Sequence, residues 1–300
     1  MKAAKFMNSM SIERRAQIIQ LLVGGNSMRS IERILDCSIN TVTKVLCDAG
    51  AACQVYHDAN VQNLKTKQVQ CDEIWAFCYA KAKSVPTAIA APEGSGDVWT
   101  WTAIDADSKL IISYLVGGRD AEYATAFMQD VKGRLSNLVQ LTTDGHHAYL
   151  KAVENAFDWA VDYAQLIKQY GASPDGTKGR YSPAEYTGAK KVKISGSPDI
   201  AKVNTSFVER QNLTMRMHMR RFTRLTNGFS KKVENHANAV ALHFMYYNFA
   251  KIHKTLRVTP AMEAGISSHV WSIEEIARLI PVTVAKKRGS YKTRDAAISN

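Results

Sequence analysis

The sequence predicts an α/β chain, a mixed five-stranded sheet with flanking helices preceded by an all-α module of three short helices. Two observations carry this. Apolar residues recur at helical spacing through the first fifty positions. From residue 69 onward short β-branched and aromatic runs take over, first three in succession and then alternating with helical stretches.

In the first module Ile12, Ile18, Ile19, Leu22 and Val23 line one helix, and Ile31, Ile34 and Leu35 line a second. Gly24 and Gly25 can end the first, and Asn26 or Ser27 can cap the next. A third helix starts between Ser38 and Thr41 and turns Val42, Val45 and Leu46 inward, which leaves Asn40, Thr41, Thr43 and Lys44 exposed. This is helix-turn-helix spacing, which makes those four residues candidates for DNA contact. Three short helices also pack together with no such role. Residues 51–66 read as a linker or a connecting helix.

The next texture is extended. Residues 69–81, 98–105 and 109–118 read as strands, with the DADS turn at 105–108 joining the second and third. A helix at 121–135, a strand at 139–144, a helix at 147–157 and a strand at 161–167 follow. The order β-β-β-α-β-α-β is that of a ribonuclease H-like core. Residues 168–204 are rich in Gly, Ser, Pro and Lys and too long for an ordinary loop, so this insert is expected to be irregular and, from its charge, to contact nucleic acid. Helical texture returns from Thr205 through Arg221 and again at 231–252. The HKTLRVTPAM block reads as packing, with Pro260 ending a helix. Residues 272–280 form an amphipathic stretch, and 286–295 a basic tail expected to be mobile. The expected divisions are 1–60, 61–270 and 271–300.

Lys plus Arg number 39 against 27 Asp plus Glu, and the net charge of +12 suits a polyanionic partner. No apolar run approaches the roughly 20 residues that a membrane span requires. The opening residues lack a secretory signal, so a cytoplasmic location is expected. The five cysteines fall between residues 37 and 78 without a CxxC pair, which argues against a disulfide framework or a zinc site.

Three acidic residues stand out in the deduced topology. Asp72 lies on the first strand, Asp144 ends the fourth, which is its neighbour in such a sheet, and Glu209 follows on a helix. Converging carboxylates of this kind hold a pair of hard cations for phosphoryl transfer, Mg²⁺ with Mn²⁺ as a substitute. Strand alternation puts Val69, Cys71, Glu73, Trp75 and Phe77 on one face and Asp72 on the other, so one of Asp72 and Glu73 points at the site. The residues alone leave that choice open. Asp144 could instead cap the next helix, Asp105 and Asp107 read as turn residues, and His146 and His147 as helix-start positions.

The blocks CDEIWAF, LTTDGHHAYL and SFVERQNLTMRMHMRRFTRLTNGFSKKVENH resemble those of DDE-class insertion-sequence transposases, closest to the insertion-sequence-one family, over residues 69–249. The resemblance implies a DNA transposase with Asp72, Asp144 and Glu209 at the DDE positions, which favours Asp72 over Glu73. It implies two Mg²⁺ ions, cleavage at the element's terminal inverted repeats, transfer of the 3′-OH into target DNA, and a homo-oligomer on double-stranded DNA near the bacterial nucleoid, with no membrane role. A basic residue seven positions after the Glu is a family tendency, and Arg216 stands there. Two helical turns put it on Glu209's face. Arg210, Asn212 and Arg220 join it as candidate DNA contacts, although Arg210, Arg216, Arg220, Arg221 and Arg224 could equally form a solvated basic face.

Two features depart from the family. The interval from Asp144 to Glu209 is longer than in its shorter members, the excess falling in 168–204, and a cysteine-rich N-terminal module is absent. The alternatives are a ribonuclease H-like nuclease and an inactive DNA-binding regulator descended from a transposase.

Overall fold

The computed structural model describes residues 10–171, 186–223 and 226–281. Helices α1 (Ile12–Val23), α2 (Met28–Leu35) and α3 (Ile39–Asn60) begin after Ser11, Ser27 and Ser38. Each of these hydroxyls accepts a backbone N–H of the first turn, from Arg14, Ser30 and Asn40 respectively, satisfying a donor the helix leaves orphaned. Ile18, Ile19, Ile31, Val42, Val45 and Leu46 are buried. Ile34, expected inside, is 56% exposed because it lies off the narrow Ile31–Leu35 stripe of a two-turn helix. Asn40 and Lys44 are exposed as expected, whereas Thr41 and Thr43 are half-buried. Thr43 turns its hydroxyl back to the Ile39 carbonyl at 2.8 Å.

Of the two expectations for 51–66, the helical one applies as far as Asn60. α3 runs 22 residues and packs lengthwise on α7 (Val233–Met245). Gly50 makes this approach possible: a Cβ there would stand 2.3 Å from the Asn238 carbonyl oxygen. Farther along α3, Cys53 is buried and His57 Nε2 lies 3.2 Å from the Ile111 carbonyl. Arg134 ties the same end down through Asp58 at 2.5 Å and the Val61 carbonyl at 3.2 Å. α3 therefore shares its core with the rest of the chain.

The sheet contains β1 (Gln68–Cys78), β2 (Gly96–Asp105), β3 (Ile111–Gly117), β4 (Gln140–Asp144), β5 (Asp162–Tyr170) and β6 (Tyr186–Ser195), in the spatial order β3-β2-β1-β4-β5-β6. The first three are antiparallel neighbours. β4 pairs parallel with β1 and β5, through the crossover helices α4 (Ala121–Arg134) and α5 (Ala148–Phe157). Asp105 is a turn residue as expected: its carboxylate accepts from Thr66, Asp107 N and both the backbone and the hydroxyl of Ser108.

The sixth strand corrects the five-stranded expectation. Part of the supposedly irregular insert, YTGAKKVKIS, pairs antiparallel with β5, which itself extends to Tyr170. Its side chains are exposed or half-exposed along its whole length, so it shows no apolar alternation, and its lysines suit an unprotected edge. Residues 172–185 of the insert, and the basic tail, lie outside the described residues.

α6 (Ser206–His218) stops three residues before Arg221, and a single 3-10 turn, Arg220–Phe222, follows. α7 closes in a π-helical turn, Tyr246–Ala250. Pro260 opens the short α8 (Pro260–Glu263) instead of ending a helix. Its missing N–H is one that the first turn leaves unpaired anyway. α9 (Ile273–Arg278) starts on a Ser272–Glu275 capping box and packs on α1. Among the described residues no helix is long and apolar enough to cross a membrane.

His243, deep in α7, has neither ring nitrogen hydrogen-bonded. Burial, helped by His218 and Lys251, lowers it to about 3 from 6.5. A base depressed on folding contributes stability above its unfolded value that is lost as pH falls from 6.5 toward 3. His243→Leu is therefore expected to gain stability relative to the parent at pH 4 compared with pH 7.5. Urea unfolding at the two pH values checks this, and an equal difference at both would show that His243 does not drive the acid sensitivity.

Candidate active site

β1 and β4 share a ladder only through Gln68↔Gln140, Val69↔Leu141 and Gln70↔Thr142. Continued two steps, that register would set Asp72 opposite Asp144. The strands part before they reach it, and the carboxylates occupy the opening. Asp72, Glu73 and Asp144 each offer an oxygen within 4.8 Å of the others, a group able to hold a metal ion.

This corrects the expectation that one of Asp72 and Glu73 must turn away. Alternation does separate their partners. Asp72 accepts from Asn212 Nδ2 of α6 at 2.8 Å, while Glu73 accepts from Tyr149 of α5 at 3.0 Å and from Arg119 at 2.7 Å. Beyond the last rung, no strand stands between the two faces on the β4 side, and both side chains reach the gap.

Charge distinguishes them. Glu73 is compensated by Arg119, which is itself steadied over the Trp99 ring at 4.5 Å. Among the described residues the hydrogen-bond donors to Asp72 are neutral, the Asn212 amide and the Glu73 N–H at 2.9 Å. Burial, with Asp144 and Glu73 close by, pushes Asp72 up to about 7. Burial and Asp144 raise Glu73 as well, against the pull of Arg119. Asp144 accepts from His146 N at 3.0 Å but caps no helix, since α5 begins at Ala148. The set therefore consists of oxygen donors crowded into mutual repulsion, which suits a hard divalent cation.

Glu209 stands apart from this group. It is ion-paired with Lys168 of β5 at 2.8 Å and bonded to the Thr205 hydroxyl. Its charge still reaches Asp72, contributing to the upward push there. The position of α6 is fixed from β1: the buried Gln70 side chain accepts from Phe207 N and Val208 N at 2.9 and 3.3 Å and donates to Asn204 at 2.7 Å.

The other expected contacts scatter. Asn212 is buried against Asp72. Arg210 is exposed on another face of α6, Arg216 is half-buried, and Arg220 is exposed on the 3-10 turn. Arg221 does not belong to a solvated face: it donates to Ser230 Oγ and the Asn235 carbonyl, and burial lowers it to about 10. Asn40 and Lys44 sit on the helical module, away from the carboxylates. Sequence reasoning missed Gln70, Arg119, Tyr149 and Lys168, although Tyr149 lies within the LTTDGHHAYL block and Gln70 directly precedes CDEIWAF.

Two solved structures show limited likeness. The piggyBac transposase synaptic complex with hairpin DNA gives a TM-score of 0.39 at 12% identity, over 93% of this chain and 72% of that one. A pre-cleavage Mos1 transpososome gives 0.22 at 12% identity, over 54% and 61%. No curated protein matches the chain. Residues 186–251, from β6 through α6 and α7, match the family described as IS1 transposase. Over that segment the chain is similar to IS1 transposases. Glu209 lies inside the matched segment, and Asp72 and Asp144 lie before it.

Replacing Gln70 by Leu strands two buried amides at the start of α6, and leaving such groups unpaired costs about 1–3 kcal/mol. We expect that loss in urea unfolding, with faster hydrogen exchange at Phe207 and Val208. Unchanged exchange there would show that α6 is held by other contacts.

Proposed function

We propose that the chain is a DNA transposase whose catalytic carboxylates are Asp72, Asp144 and Glu209, acting in a ribonuclease H-like core that cleaves DNA at the ends of an insertion sequence and joins the freed 3′-OH to target DNA. The observation that carries this is the gap at the ends of β1 and β4, where Asp72 and Asp144 meet uncompensated beneath α6, while Glu73 already has Arg119. Two Mg²⁺ ions, or Mn²⁺ in their place, would be held by Asp72, Asp144 and Glu209 and would supply activation of the attacking oxygen and neutralisation of charge on the phosphate.

The chain's own residues do the rest. Asn212 fixes one oxygen of Asp72, and the β1 ladder to β2 fixes the backbone beneath it. Gln70 sets the height of α6 and so of Glu209, and Lys168 carries the charge of Glu209 in this structure. In the first reaction a water oxygen bonds to phosphorus as the P–O3′ bond breaks, leaving a 3′-OH. In the second that hydroxyl bonds to a target phosphorus and displaces a target 3′ oxygen. One carboxylate set serves both.

Residues 1–60 supply a helix-turn-helix that reads the terminal repeats through Asn40, Thr41, Thr43 and Lys44, with Arg216 and Arg220 on phosphates nearer the core. Residues 61–270 form the catalytic unit and 271–300 the C-terminal extension. A homo-oligomer brings two ends together on double-stranded DNA. Because α3 shares its core with α7, surface substitutions test this module better than truncation.

Asp144→Asn and Glu209→Gln should each abolish Mg²⁺-dependent cutting of labelled repeat-end DNA while leaving binding near the parent's. Loss of binding along with cutting would remove the catalytic assignment. Asn212→Ala, which frees Asp72, should raise the Mg²⁺ concentration needed for half-maximal cutting by about 10- to 100-fold, as for other groups that orient metal ligands. For the helical module, the Asn40→Ala, Lys44→Ala pair should narrow the preference for repeat ends over random duplex in competition gel shifts. An unchanged preference would place end recognition elsewhere.

A further inference from the structure

α6 has two working faces. At 100° per residue, Glu209 and Asn212 point one way, and Phe207, Arg210, Gln211 and Thr214 cluster on the opposite side. There they wall a cleft of about 700 Å³, closed on its far side by the segment 251–257 and at one end by Lys109. Five cations line it, Lys109, Arg210, Lys251, Lys254 and Arg257, and no Asp or Glu is among its described lining residues.

Several features make this more than a basic surface. Burial lowers Lys109, against the pull of Asp107 and Asp105, and lowers Lys251 as well, and those two cations in turn help lower His253. The Gln211 side chain is only 2% exposed, yet its Nε2 has no acceptor in a wall where an incoming oxygen would supply one. Lys109 is held over the Phe207 ring at 3.5 Å. Lys254 and Arg257 ride on a tight turn closed by His253 N to Val258 O and Arg257 N to His253 O, both 2.9 Å, with Arg257 itself at a left-handed φ of 66°. Such a turn fixes its charges in place at some conformational cost.

We propose that this cleft seats the phosphodiester backbone of a DNA segment distinct from the one at the carboxylates, running behind α6. The ligand is a chain of phosphates and not a single anion, because the cations are spread around a volume many times that of one phosphate. A helix is about 10 Å across, so a phosphate in the cleft is not the one being cut. Arg210 thus turns into the cleft, about 100° around α6 from Glu209. The inference rests on the transposase reading only in taking DNA as the polyanion.

The test is the salt dependence of full-length protein binding to a random-sequence duplex. Each neutralised phosphate contributes about 0.9 to the log–log slope. The Lys254→Gln, Arg257→Gln pair, both on the exposed rim, should reduce the slope by about 1.8 and weaken binding, with an unchanged melting temperature. The Lys83→Gln, Lys151→Gln pair removes the same charge from exposed residues that do not line the cleft and should leave the slope near the parent's. An unaltered slope in the cleft pair, or an equal fall in both pairs, would overturn the proposal. So would a cleft pair that changes only the binding of inorganic phosphate, which would mark a small-anion pocket. Failure of the transposase reading shows separately, as absence of Mg²⁺-dependent cutting by the parent, and leaves the slope comparison intact.

Discussion

β1 and β4 are hydrogen-bonded for three rungs and then diverge, and the rest of the molecule is arranged around that parting. Had the ladder continued, Asp72 and Asp144 would be paired residues of neighbouring parallel strands, held at the fixed spacing of the sheet. Because it stops at Gln70 and Thr142, the two carboxylates face a gap that other elements must cover. α5 covers one side with Tyr149, and α6 covers the other with Asn212. The repulsion among the acids that results is a cost to the fold, offset for Glu73 by Arg119 and left standing at Asp72.

That arrangement makes Gln70 more consequential than its place one step before the gap suggests. It is the last paired residue of β1 against β4, and its side chain is also the cap of α6. One residue thus sets both where the strands part and how high the helix bearing Glu209 stands above them. The inward face of α6 serves the acids, and its outward face walls a cleft of opposite charge. A helix held so firmly at its start can present two chemistries at once without either face shifting the other.

The N-terminal helices are joined to this core more closely than a separate module would be. α3 lies along α7 at a distance that Gly50 permits, and its far end is bonded to β3 and α4 through His57 and Arg134. A helix of 22 residues whose C-terminal half is anchored through buried Cys53 and His57 transmits its orientation to the exposed start, where Asn40 and Lys44 stand. The position of those two residues relative to the carboxylates is set by packing.

Much was legible in the sequence because it depends on local rules. The second and third helices started at Ser27 and Ser38, strands followed their β-branched and aromatic runs, and Asp72, Asp144 and Glu209 could be assigned to two strands and a helix. β6 was not legible, since an edge strand wet on both faces has no alternation to read. Nor was the role of Pro260, because a proline's effect depends on whether it falls at the first turn of a helix or inside it. The sequence by itself determined which residues carry charge, which elements they ride on and which short blocks resemble a known family. Only the tertiary structure decided that Glu73 joins Asp72 at the gap but is neutralised, and that Asn212 serves the acid and not the surface. The reason is that these are relations between residues 46 to 140 positions apart, and charge compensation depends on distance in space, which no local pattern encodes.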